Sequence, residues 1–137
     1  MYTTSHVIDV QTPGAGLHDV TPNVRAWLAS QRAAHGLLTI VCRHTRASLM
    51  IQGGEADMKA DLEAFFDRIA PQVASLYTHT QDGPDDMPAH IRSALTQAQL
   101  TLPVIDGSLA IGRSQAIYLF EHRQGPHARQ ALLHLAW

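Results

Sequence analysis

Two pairs of strand-like runs, each joined by a connection too short for a crossover, constrain this chain more than any other feature. Leu100–Ile105 and Ser108–Gly112 flank Asp106-Gly107, a dipeptide that favours a two-residue hairpin turn because both positions tolerate positive φ. Leu37–His44 and Ala47–Gln52 are almost contiguous as well. Parallel neighbours need a connection of roughly a dozen residues or more, so pairs like these read as antiparallel. Thr3–Val10, Ala116–Glu121 and Ala131–Ala136 are further strands, the last two separated by the Gly125-Pro126 turn.

Three helices sit among these runs. Thr21 offers an N-cap with Pro22 at the first helical position, and Val24, Trp27 and Leu28 continue at helical spacing towards Ala34, where Gly36 ends the helix. A second helix is expected over Asp57–Ile69, with an apolar face of Met58, Leu62, Phe65, Phe66 and Ile69, and Pro71 stops it. Pro88 starts a third through about Leu95, apolar at Ile91, Ala94 and Leu95. The pattern is that of a single α+β domain over residues 1–137, a mostly antiparallel sheet or sandwich with about three helices.

Composition narrows the function classes. Apolar residues make up 45% and charged residues 16%, enough for a compact core and too apolar for disorder. The formal charge is −2 with no block of like sign, so neither nucleic acid nor an anionic membrane has an electrostatic foothold. The low charged fraction leaves surface that suits contact with other subunits. The one cysteine, Cys42, lies in an apolar run and reads as a buried, inert thiol. The first residues show no basic leader and no 18-residue apolar run occurs, so the cytoplasm is the expected location.

Leu76–Leu95 holds the densest polar chemistry. His79 and His90 share it with Asp82, Asp85 and Asp86, in a turn-rich connection leading to a helix start. Imidazoles and carboxylates bind divalent metals and move protons near neutral pH. His44 ends a strand in His44-Thr45-Arg46-Ala47-Ser48, where side chains converge on clefts. Three neutral imidazoles and a carboxylate would make a competent site for a divalent ion such as Zn or Mg. Plainer roles are available. Asp86 can simply cap the helix, Asp61 fits a solvated helix face, and His6, His18, His35 and His134 read as surface residues. His122 and His127 flank a turn near Glu121. Unpaired N–H groups of the third helix, with Arg46 or Arg113, would suit a phosphate.

These residues carry a resemblance to the YjbQ family, also called secondary thiamine-phosphate synthase. His44-Thr45-Arg46-Ala47-Ser48-Leu49 is similar to the family's His-Thr-(Thr/Ser)-Ala-Ser-Leu, followed by Asp61-Leu62 and Tyr77-Thr78-His79. Gly83-Pro84-Asp85-Asp86-Met87-Pro88-Ala89-His90-Ile91 resembles its acidic block, and Leu102-Pro103-Val104, Gly107-Ser108-Leu109, Gly112-Arg113-Ser114-Gln115 and Glu121 follow in order. The resemblance implies a small α+β homotrimer with a histidine-rich, metal-holding pocket. It also implies weak thiamine-phosphate synthase activity, joining a pyrimidine pyrophosphate to a thiazole phosphate with release of pyrophosphate.

Carried onto this chain, it implies His44, His79, His90 and Asp86 as the catalytic group, with His44, His79, His90 and Asp61 around the metal. Thr45, Arg46, Ser48, Arg113 and Gln115 would contact a small phosphorylated substrate. Two segments depart from the family. Gln52-Gly53-Gly54-Glu55 replaces an Asn-Glu-Asn-like segment, and Gly112-Arg113-Ser114-Gln115 replaces Gly-Thr-Trp-Gln. These changes keep two other classes open: a non-catalytic trimeric module binding a small ligand or metal, and a metal-dependent phosphohydrolase using Asp85 and Asp86.

Overall fold

The computed structural model describes all residues 1–137. Its strands, in chain order, are β1 (Thr3–Thr12), β2 (Gly16–Asp19), β3 (Gly36–Cys42), β4 (Ala47–Gly53), β5 (Gln99–Ile105), β6 (Ser108–Leu109), β7 (Gln115–Glu121) and β8 (His127–Ala136). The helices are α1 (Thr21–Gln31), α2 (Ala56–Ile69) and α3 (Asp86–Leu95), with one 3₁₀ turn at Ala74–Leu76. No helix is long and apolar enough to cross a membrane.

Every strand pair is antiparallel. Of the two short connections, only that between β5 and β6 joins paired strands: β3 and β4 do not pair, and the chain passes from one sheet to the other between them. One sheet has five strands in the order β1-β8-β3-β5-β6, the other three in the order β2-β7-β4. The hairpin at Asp106-Gly107 pairs Ile105 with Ser108, with φ of 51° and 79° at the two turn residues, so the dipeptide does what its chemistry favours.

Strand β7 alternates between two cores because successive side chains leave a strand on opposite faces. Ile117 and Leu119 join Leu38, Ile40, Leu49, Leu133 and Leu135 between the sheets, together with Val24 and Leu28 of α1. Tyr118 and Phe120 pack on the other face with Leu17 and with Phe66 of α2. The small sheet is thus a middle layer, with the large sheet on one side and α2 on the other.

Several local expectations are corrected. Thr21 does not cap α1. Its hydroxyl accepts from Ile117 N at 2.8 Å, and Asp19 Oδ1 instead accepts from Thr21 N at 2.9 Å. That helix ends at Gln31 rather than near Ala34, because Arg32 turns left-handed at φ 55°. Phe65 and Ile69 are exposed, leaving Phe66 as the one buried side chain of α2. Strand β2 is too short and too polar to show as a pattern.

Helix α3 is the informative correction. It begins at Asp86, so Pro88 is its third residue, still within the first turn where a missing N–H breaks no helical bond. Its buried residues are Asp86, Pro88, Ala89 and Arg92, while Ala94 and Leu95 are exposed. The helix turns a charged face inward because that face is paired: Arg92 bonds Asp67 at 2.9 Å and Ala70 O at 3.1 Å.

Candidate metal centre

Strand pairing brings the site together. The β4–β7 ladder ends at Ala47 opposite Glu121, and His122 N then donates to Arg46 O at 3.2 Å. Arg46 and Arg123 therefore leave neighbouring strand ends beside the start of α3. The loop entering α3 is held by Tyr77, whose hydroxyl donates to Pro71 O at 2.7 Å. Gly83 takes a φ of +106°, and a Cβ there would lie 3.4 Å from Arg123 Nη2.

Asp86, fully buried, is the centre. Its Oδ1 accepts from Arg46 Nε and lies 3.3 Å from Arg123 Nη1. Its Oδ2 accepts from His79 Nε2 at 2.8 Å and sits 3.2 Å from His90 Nε2, one helical turn away on α3. The Arg46 hydrogen bond, aided by His79 and against the cost of burial, holds the Asp86 carboxyl well below the usual carboxylate range. Burial disfavours charge on Asp85, but bonds from Arg123 and from Gln124 N outweigh it and keep that carboxyl low too.

His79, His90 and Asp86 each offer one ligand atom, a ring nitrogen or a carboxylate oxygen, and these three atoms all lie within 4.8 Å of one another. Donor atoms around a tetrahedral zinc are about 3.3 Å apart, given bond lengths near 2.0–2.1 Å, so the spacing fits an ion. Asp82 Oδ2, 3.2 Å from His79 Nε2, borders the same imidazole. A cleft of about 230 Å³ adjoins His79, lined also by Tyr77, Thr80, Gly83 and Met87.

Two of the three proposed imidazoles converge and the third does not. His44 lies on the β3–β4 connection with its Nε2 accepting from Gln130 N at 3.1 Å, and burial followed by the nearby Arg129 lowers its pKa. Its ring serves the β8 side, while Arg46 two residues later serves Asp86. Asp61 is exposed on α2, lining a separate hollow with Gln52, Asp57 and Met58. Arg113 and Gln115 lie at the far end of the β4–β7 ladder, where Gln115 pairs with Gly53. That is roughly 20 Å from Arg46 at about 3.3 Å per residue. Gln115 Oε1 accepts from Gly112 N, which closes its own turn. Thr45 is exposed.

Ser48 is buried and occupied. Its hydroxyl lies 2.8 Å from His122 Nε2 and 2.6 Å from Thr96 Oγ1. Burial, with Arg92 nearby, pushes His122 down to about 3, so the ring is neutral. Arg123 is the site residue that sequence reasoning missed. It lies in no motif, and only the strand register shows that it reaches the Asp82–Asp86 turn. Glu121 proves structural: Arg129 Nε and Nη2 donate to it at 2.7 and 2.8 Å, and Thr12 at 2.7 Å.

Comparison with known proteins agrees with the fold. The family model described as UPF0047 protein YjbQ-like matches residues 6–136. The UPF0047 protein sll1880 of Synechocystis is 39% identical over 131 residues, covering 95% of this chain and 89% of that protein. The UPF0047 protein YjbQ of Escherichia coli is 39% identical over 110 residues, 79% of each chain. Among solved structures, the conserved hypothetical protein TT1486 of Thermus thermophilus superposes with a TM-score of 0.84 at 30% identity, covering 96% of this chain and 99% of that one. A YbjQ-like protein of unknown function from Sulfolobus solfataricus reaches 0.86 at 20% identity, over 98% of each chain, a likeness of fold alone.

Proposed function

This chain belongs to the UPF0047 YjbQ-like family, and we propose that it binds a divalent ion through His79, His90 and Asp86 and uses that centre on a small phosphorylated substrate. The observation that carries the reading is the convergence of two imidazoles on one oxygen of a fully buried carboxylate. Two nitrogen donors favour a zinc-like ion over Mg²⁺, which prefers oxygen ligands. When bound, such an ion supplies Lewis acidity to a phosphoryl oxygen and charge neutralisation to a leaving pyrophosphate.

The chain's own residues supply the rest. Arg123, bonded to Asp85 and to Asp82 O, fixes the loop that carries His79. Arg46 presents a partly exposed guanidinium beside the same carboxylate, suited to bidentate capture of a phosphate. The cleft beside His79 gives the substrate a place. Within this reading the reaction to test first is thiamine-phosphate formation, which rests on the resemblance of the motifs around His44, His79 and Asp86. Exposed apolar side chains at Phe65, Ile69, Val73 and Leu76 support subunit assembly, with a homotrimer as our proposal.

The test is incubation of purified protein and Zn²⁺ or Mn²⁺ with the pyrimidine pyrophosphate and the thiazole phosphate, following thiamine phosphate by chromatography. Turnover that disappears in His79→Ala and His90→Ala supports the enzyme. Turnover unchanged in both variants contradicts it, and ion binding without product leaves a binding module in its place.

A further inference from the structure

We infer that Arg46 couples oxyanion binding to metal binding at this centre, letting go of Asp86 when a tetrahedral oxyanion arrives and so strengthening the grip on the ion. The inference rests on the metal reading above and concerns how that site is loaded. Its basis is an asymmetry between two arginines that approach the same oxygen.

Arg123 is committed elsewhere. Its Nη2 bonds Asp85 Oδ1 at 3.0 Å and Asp82 O at 2.9 Å, and it reaches Asp86 at 3.3 Å only as one contact among several. Losing one of these leaves the others to hold it. The Arg46 guanidinium, by contrast, has Asp86 as its sole partner, and its side chain is 33% exposed. One of the two is a staple and the other is free to turn.

Arg46 also stands where a bound ion would feel it. Its Nη2 lies 3.5 Å from Asp86 Oδ2, the oxygen that faces both imidazoles. A guanidinium there shares the carboxylate's charge with the ion and repels it across a short, poorly solvated gap. Because the Arg46 side chain is one-third exposed, a phosphate or sulfate group arriving from solvent can offer it two parallel charge-assisted bonds. Turning to it relieves the repulsion and returns the carboxylate to the ion. Asp86 keeps Arg123, so its burial stays compensated. By linkage, the ion then strengthens oxyanion binding by the same factor.

Calorimetric titration with Zn²⁺, using sulfate as a tetrahedral dianion and acetate at matched ionic strength, tests this. We expect sulfate to tighten zinc binding to the wild-type chain by about tenfold, within the usual range of coupling between sites, and acetate not to. Arg46→Met should bind zinc at least as tightly as wild type without sulfate and show no response to it. Zinc binding indifferent to sulfate in the wild type, an equal response to acetate, or a sulfate response that survives in Arg46→Met would overturn the inference while leaving the metal centre standing. Absence of zinc binding to the wild type would remove the metal centre and the coupling together. The wild-type comparison decides on its own should Arg46→Met fail to fold.

Discussion

His79 Nε2 donates to Asp86 Oδ2 across 2.8 Å, joining a partly exposed imidazole on a loop to a carboxylate with no solvent contact at a helix start. Without an ion, Asp86 is an acceptor for several cationic or imidazole donors. With an ion, the same oxygen becomes a ligand. The carboxylate is thus both a structural anchor and a candidate functional atom, and substitutions there should affect stability as well as binding.

Asp86→Asn removes the charge that compensates Arg46 and Arg123. Breaking a fully buried pair costs about 3–5 kcal/mol, but both guanidiniums here reach water, so a loss of about 2 kcal/mol is expected. Urea denaturation of the metal-free protein measures it. Wild-type stability in the variant would mean that the carboxylate anchors nothing.

Glu121 and Arg129 form a buried ion pair between β7 and β8, strands of different sheets. Glu121→Ala strands a buried guanidinium, and a loss of roughly 3–5 kcal/mol is expected. The double variant Glu121→Leu with Arg129→Met removes both charges together and should lose less than Glu121→Ala alone. Equal losses would show that the pairing is not what holds the strands.

Acid stability should have two components. His122 has a folded pKa of about 3 against an ordinary value near 6.5, so between these values the unfolded chain binds a proton that the native ring does not. Stability attributable to that neutral ring is complete above pH 6.5 and falls as pH drops towards 3, by up to about 1.4 kcal/mol per pH unit. Asp86, Asp85 and Glu121, all with depressed folded pKa, add stability that is present above the usual carboxylate range and lost as pH falls below it. Stability curves at pH 4–7 should therefore flatten in His122→Asn. A slope unchanged in that variant would assign the loss to other groups.

Gly107 occupies the second turn position with φ +79°. Gly107→Ala should cost about 1 kcal/mol by forcing a side chain into left-handed backbone, read as a lower Tm. No change would mean that the turn reshapes at little cost.

How much of this could be read in the sequence follows from the range of each interaction. The hairpin at Asp106-Gly107 was legible because turn chemistry is local, whereas β3 and β4, adjacent in sequence, enter different sheets because their partners β8 and β7 are set by long-range packing. His79, Asp86 and His90 were legible for the same reason as the hairpin: six residues of loop separate the first two, and one helical turn the last two. His44 was misplaced because a strand-end histidine can face either side of the connection, and only the position of Gln130 decides. Arg123 was invisible because its approach to Asp85 depends on the β4–β7 register. The face of α3 was misread because apolar Ile91, Ala94 and Leu95 suggest an inner stripe, whereas paired charges occupy that place.

The most direct test of the metal centre is anomalous diffraction at the zinc edge from crystals of the protein soaked in zinc. The account predicts one strong peak about 2.0–2.2 Å from His79 Nε2, His90 Nε2 and Asp86 Oδ2, with no protein ligand from His44 or Asp61. A map without density at that point, or with zinc held elsewhere while these three side chains keep their mutual hydrogen bonds, would contradict it.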